Sequence, residues 1–139
     1  MFSYYTPDQA NKILPEIKKK FNKILEKRNE IIVVQNELNT LGAHQSFKIF
    51  FEKKNKLNKI ISSLYKDIEE IEEFGILIKS IDEGLLDFPS KRFEEEVWLC
   101  WKKGEDKIKF WHGKDEGFRG RKPLSIKGTY NEDDLNDLK

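Results

Sequence analysis

From Ala10 to Leu41, apolar residues recur at steps of three and four: Ala10, Leu14, Ile17, Phe21, Ile24, Ile31, Leu38 and Leu41, with Arg28 and Gln35 interrupting the row. That spacing lays one apolar stripe along an α-helix. A second row, Leu57, Ile61, Leu64, Ile68 and Ile71, repeats it. "TPDQ" reads as the first helix start: Thr6 caps, Pro7 is preset for the first helical position, Asp8 suits the dipole, and Gln9 completes a capping box. Pro15 removes a helical hydrogen bond, which predicts a kink or a separate first turn there. Gly42 and Gly75 are placed to end the two helices, the second running from about Phe47 to Phe74. At about 1.5 Å per residue the helices would be roughly 50 and 40 Å long. The short link "GAHQS" makes them an antiparallel, coiled hairpin. Two helices of this length cannot cover their apolar faces alone, so a homodimer completing a four-helix bundle is expected.

After Gly75 the period shortens to two. "ILIKSIDEGLLDFP" has two apolar runs around "DEG", the pattern of a β-hairpin. "EVWLCWKKGEDKIKFWH" repeats it: Val97, Leu99 and Trp101 alternate with Trp98 and Cys100, and Ile108, Phe110 and His112 alternate with Lys109 and Trp111, across a turn at Gly104. About four antiparallel strands are expected. Pro89 in "DFP" reads as a strand exit, because proline cannot donate to a ladder. The chain thus reads as one α+β domain over 1–127, a long antiparallel helical hairpin at 6–74 and a β-rich part at 75–127. A flexible acidic tail follows at 128–139.

Composition sets the outer bounds. Positive and negative residues nearly cancel, to a net charge of +1, which argues against a dedicated nucleic-acid binder. Aromatic residues make up 12% of the chain, ample for a core. No apolar run approaches the ~20 residues that span a bilayer. "MFSYYTPDQ" lacks the basic-then-apolar order of a secretory signal. The single cysteine, Cys100, suits a reducing compartment, so a cytoplasmic location is expected.

The residues with chemical potential gather late in the chain. Asp87, Glu105, His112, Arg119 and Arg121, with Lys79 in the first β-hairpin, could supply a carboxylate and imidazole for a metal. They could equally supply an acid–base pair or an arginine pair for a small anionic ligand. His112, Asp87 and Glu105 are the candidate catalytic residues; Arg121, Arg119, His112 and Lys79 are the candidate ligand contacts. No HExxH or CxxC spacing names a metal, and no cofactor is indicated. His44 could join His112 only through folding or across a dimer. In "GFRGR", Gly117 and Gly120 permit positive φ and close backbone approach, so successive N–H groups could cradle a phosphate.

Each of these readings has a plainer counterpart. His112 can bond a backbone carbonyl and orient the loop. Asp87 can cap a turn. Phe118 can plug the core while Arg121 pairs with Asp87 or Glu105. Cys100, between two tryptophans, reads as a small buried hydrophobe. "KKK" at 18–20 and "EKKNK" at 52–56 could touch nucleic-acid phosphates, and the lysine–aromatic interleaving of 97–112 is that of a stacking platform. Solvated helix faces and sheet packing account for both more simply.

These residues also carry a resemblance. Tyr5, Thr6, Pro7, Ala10, Asn11, Leu14 and Pro15 open it; Gly75, Lys79, Gly84, Leu85, Asp87, Phe88 and Pro89 continue it. Val97, Leu99, Cys100, Trp101, Gly104 and Glu105 follow, then Trp111, His112, Gly117, Phe118, Gly120 and Arg121. Together they resemble domain-of-unknown-function family 2203, a prokaryotic family, over about Tyr5 to Leu124. The resemblance implies that Pro15 belongs to the pattern, and it implies no activity. The favoured reading is a non-catalytic binding or assembly module. The alternatives are a small enzyme using the Asp/Glu/His/Arg corner and a nucleic-acid-binding protein.

Overall fold

The computed structural model describes residues 4–41 and 46–124; Gly42 and His44 in the link, and the acidic tail, lie outside them. Two helices precede a five-stranded antiparallel sheet, giving the expected α+β architecture. The chain divides into two compact units, Lys18–Glu70 and Met1–Ile17 with Ile71–Lys139.

The first unit is an antiparallel pair of helical segments, drawn from α1 (Pro7–Asn39) and α2 (Phe47–Glu72). Val34, Leu38 and Leu57 form a buried cluster, flanked by Ile31, Leu41, Ile60 and Ile61. Cross-helix polar pairs fix the register. Lys20 meets Glu70 at 3.3 Å, Lys27 meets Ser63 and Asp67, and Lys53 meets Glu37. Their numbers rise on one helix as they fall on the other, the signature of antiparallel packing. Helix α1 runs unbroken through Pro15, so the alternative of a separate first turn falls away.

The second unit begins with the capping box read from the sequence. Gln9 N–H donates to Thr6 Oγ1 at 3.1 Å, and Thr6 N–H donates to Gln9 Oε1 at 3.0 Å. Gly75, at φ 80°, turns the chain out of α2. A meander follows: β1 (Leu77–Ser80), β2 (Leu85–Arg92), β3 (Glu95–Lys102), β4 (Phe110–Gly113) and β5 (Lys122–Pro123). Four of these strands were expected. The fifth is two residues long and contains a proline, too little for a period to register.

Pro89 does not end a strand. β2 continues to Arg92, and Pro89 stands opposite Trp98. The β1 ladder stops at Asp87, and beyond it Tyr5 N–H donates to the Pro89 carbonyl at 2.7 Å. A residue's N and C=O point to the same side of a strand, so the missing donor faces the edge where β1 has ended. Ser90 Oγ adds a bond to Tyr5 C=O at 2.6 Å, and the Tyr5 ring meets Phe88 edge-on at 5.7 Å. Asn11 then ties α1 to the segment before β4: its amide accepts from Ile108 N–H at 2.7 Å and donates to Ile108 C=O at 3.2 Å.

Candidate functional site

Strand alternation assembles the most polar part of the interior. Asp87 on β2 stands opposite Cys100 on β3, and Cys100 stands opposite Phe110 on β4. His112, two residues beyond Phe110, shares that face of the sheet. Asp87 and Cys100 are each 1% exposed and His112 is 2% exposed. Sequence reading took Cys100 for a small buried hydrophobe. It is buried, but it sits within a polar cluster, a placement that the register of two successive hairpins dictates.

His112 has an acceptor at each ring nitrogen. Nε2 lies 3.0 Å from Asp87 Oδ1, and Nδ1 lies 2.9 Å from Gly113 O. A carboxylate and a carbonyl both require a donor, so the ring carries both protons and forms a buried ion pair with Asp87. Burial pushes the imidazolium down, but Asp87, Cys100 and the Gly113 carbonyl outweigh it and raise the pKa to about 10. With both nitrogens donating, His112 has no lone pair to act as a general base. The ring holds β4 against β2 across β3.

Glu105 and Arg121 form a second, separate pair. Arg121 Nη2 donates to Glu105 Oε1 and Oε2 at 2.7 and 2.9 Å. Its guanidinium carbon lies 4.0 Å from the Phe110 ring centre and 4.6 Å from that of Phe118. Cys100 touches both arrangements, since its carbonyl receives Arg121 Nη2 at 3.4 Å. Glu105 is itself placed by the turn after β3: it accepts from Lys102 N–H at 2.7 Å, and its carbonyl takes Trp101 Nε1–H at 2.9 Å.

The other candidates lie apart from both pairs. Arg119 is exposed on the 3-10 turn Phe118–Gly120, so it does not join Arg121 in an anion clamp. Lys79 is exposed at the irregularity in β1, where the register slips between Ile78 and Ser80. Phe118 does not plug the core. It is partly exposed, with Arg121 on its ring and Lys102 Nζ 5.0 Å from it.

The glycine-rich loop also differs from the phosphate cradle. Gly117 has φ −107°, and among the described residues the positive-φ glycines are Gly75, Gly84 and Gly104. What fills the loop is the carboxylate of Glu116, which sequence reading missed. It accepts from Gly113 N–H at 2.8 Å and from Lys122 Nζ at 2.7 Å. A Cβ on Gly120 would stand 2.8 Å from Glu116 Cβ, so glycine is required there for close approach and not for its φ. Lys122 and the Gly113 amide hold the Glu116 carboxyl below its usual range. The loop supplies its own anion.

Fold and site together define a class: an α+β chain in which a helical hairpin accompanies a five-stranded meander with a sealed Asp–His pair. Within that class the chain belongs to the family described as an uncharacterized conserved protein (DUF2203), which matches residues 3–124. No curated protein and no solved structure matches it significantly. None of the described helices is long and apolar enough to cross a membrane.

Proposed function

We propose that the chain is a non-catalytic assembly module of the cytoplasm that self-associates through its helical hairpin. The observation that carries this reading is the apolar surface of the hairpin unit. Phe47 is 71% exposed and Val33 57%, with Ile32, Phe50, Phe51 and Tyr65 also open. Phe47, Phe50 and Phe51 pack on one another at ring-centre distances of 4.6–6.4 Å, forming one aromatic knob on α2. An exposed aromatic cluster on a charged helical surface marks an interaction site. A second copy suits it, because an isologous dimer buries the same patch twice and turns two helices into four.

The state of the polar residues supports a non-catalytic role. His112 and Arg121 point into internal pairs, and Glu105 and Glu116 already hold the donors that a small anionic ligand would need. The buried free thiol of Cys100 fits a reducing cytoplasm.

Light scattering on the wild type and on Phe51→Asp tests the reading. A dimer in the wild type that becomes a folded monomer in the variant is the expected result. A strictly monomeric wild type at high micromolar concentration removes it.

A further inference from the structure

We infer that Asp87, Cys100 and His112 form a three-donor site for one zinc-class divalent ion. Their donor atoms, one each of oxygen, sulfur and nitrogen, all lie within 4.8 Å of one another. They come from three adjacent strands whose register is fixed by continuous ladders, so the site rests on sheet and not on loop. Zinc takes a thiolate at about 2.3 Å, an imidazole at about 2.0–2.1 Å and a carboxylate at about 2.0–2.2 Å. Tetrahedral placement at those lengths separates the donors by roughly 3.3–3.6 Å. The Asp87–His112 separation of 3.0 Å already lies near that range. The widest separation, within 4.8 Å, closes by about 1 Å when the ion is bound.

A second observation points the same way. His112 Nδ1 is committed to the Gly113 carbonyl at 2.9 Å. Metal-ligating histidines commonly donate their other ring N–H to a carbonyl or carboxylate, which fixes the tautomer and aims the free nitrogen. Here that bond aims Nε2 at Asp87. Charge also fits, because a divalent ion with one carboxylate and one thiolate is neutral overall and burying it leaves no net charge in the interior. Loading replaces the Nε2 proton and the thiol proton, and both leave to solvent; no bond to carbon changes and no electron moves. Three protein donors leave the fourth position to a small ligand such as water. The ion would clamp β2, β3 and β4 together, and the site stands independently of self-association.

The test uses the full chain, stripped with chelator and titrated with Co²⁺ and then Zn²⁺. The expected result is one equivalent per chain, a thiolate-to-cobalt charge-transfer band in the near ultraviolet, and a higher melting temperature with Zn²⁺. Cys100→Ser, checked as folded by circular dichroism, loses both the band and the thermal shift, and His44→Ala keeps both. A folded wild type without the band overturns the inference, whatever the variants do. So does half an equivalent per chain, or a band lost in His44→Ala, since either would place the ion elsewhere.

Discussion

The two carboxylate oxygens of Glu105 share a single nitrogen of Arg121, at 2.7 and 2.9 Å, while the guanidinium carbon lies 4.0 and 4.6 Å from the Phe110 and Phe118 ring centres. Arginine here is a partner of two aromatic rings as much as of a carboxylate. The pair fastens the turn after β3 to the residue that leads into β5, so two segments sixteen positions apart close on each other.

Arg121→Lys keeps the charge and removes the guanidinium. A lysine ammonium can meet Glu105 but cannot stack on either ring with a planar face. The expected loss is about 1–3 kcal/mol, because the pair is largely buried and charge-assisted. Urea denaturation monitored by tryptophan fluorescence reads it. A variant as stable as the wild type would show that the stacking contributes nothing.

The His112–Asp87 pair gives stability a definite dependence on pH. His112 titrates near its ordinary value of about 6.5 in the unfolded chain and is raised to about 10 in the fold. A raised folded pKa contributes stability that is fully present below the unfolded value and is lost as pH climbs through the folded one. In the metal-free protein, unfolding free energy should therefore fall between about pH 6.5 and 10. His112→Gln, which carries no titrating group, should flatten that window. An unchanged slope in the variant would assign it to other residues.

Phe93 and Glu94, at φ 53° and 65°, make the two-residue turn between β2 and β3 without a glycine. Both central residues of such a turn need positive φ, which costs an L side chain about 1–3 kcal/mol. Glu94→Gly should raise thermal stability, by about 0.5–1 kcal/mol after the unfolded chain's added freedom is counted. Calorimetry showing a lower melting temperature would mean that the Glu94 side chain contributes more than the strain costs.

Local chemistry was legible in the sequence and partner choice was not. The Thr6–Gln9 box and the turns at Gly84 and Gly104 depend on residues a few positions apart, and each appears where the pattern places it. The family, too, was readable from the combined motifs. Sequence reading gathered Asp87, Glu105, His112 and Arg121 into one corner, whereas the fold sorts them into two pairs. Parity along the strands decides that sorting: Asp87 and His112 are ladder residues on one face, while Glu105 sits in a turn. Pro89 misled because a proline's cost depends on whether the neighbouring strand has already ended, and no local window contains β1, β2 and Tyr5 together. Glu116 carries no signal in the sequence, since only the folded loop shows which amide it caps.

Asn11 satisfies both ends of its amide on the backbone of Ile108, and Tyr5 satisfies its N–H on Pro89. On a ribosome the start of α1 must therefore wait for most of the chain to emerge before these bonds can form. The pairs Lys20–Glu70, Lys27–Asp67 and Lys53–Glu37 have both partners much sooner. The order of synthesis thus brings the hairpin's pairs and the aromatic knob of α2 out of the ribosome before the strands that Asn11 and Tyr5 await.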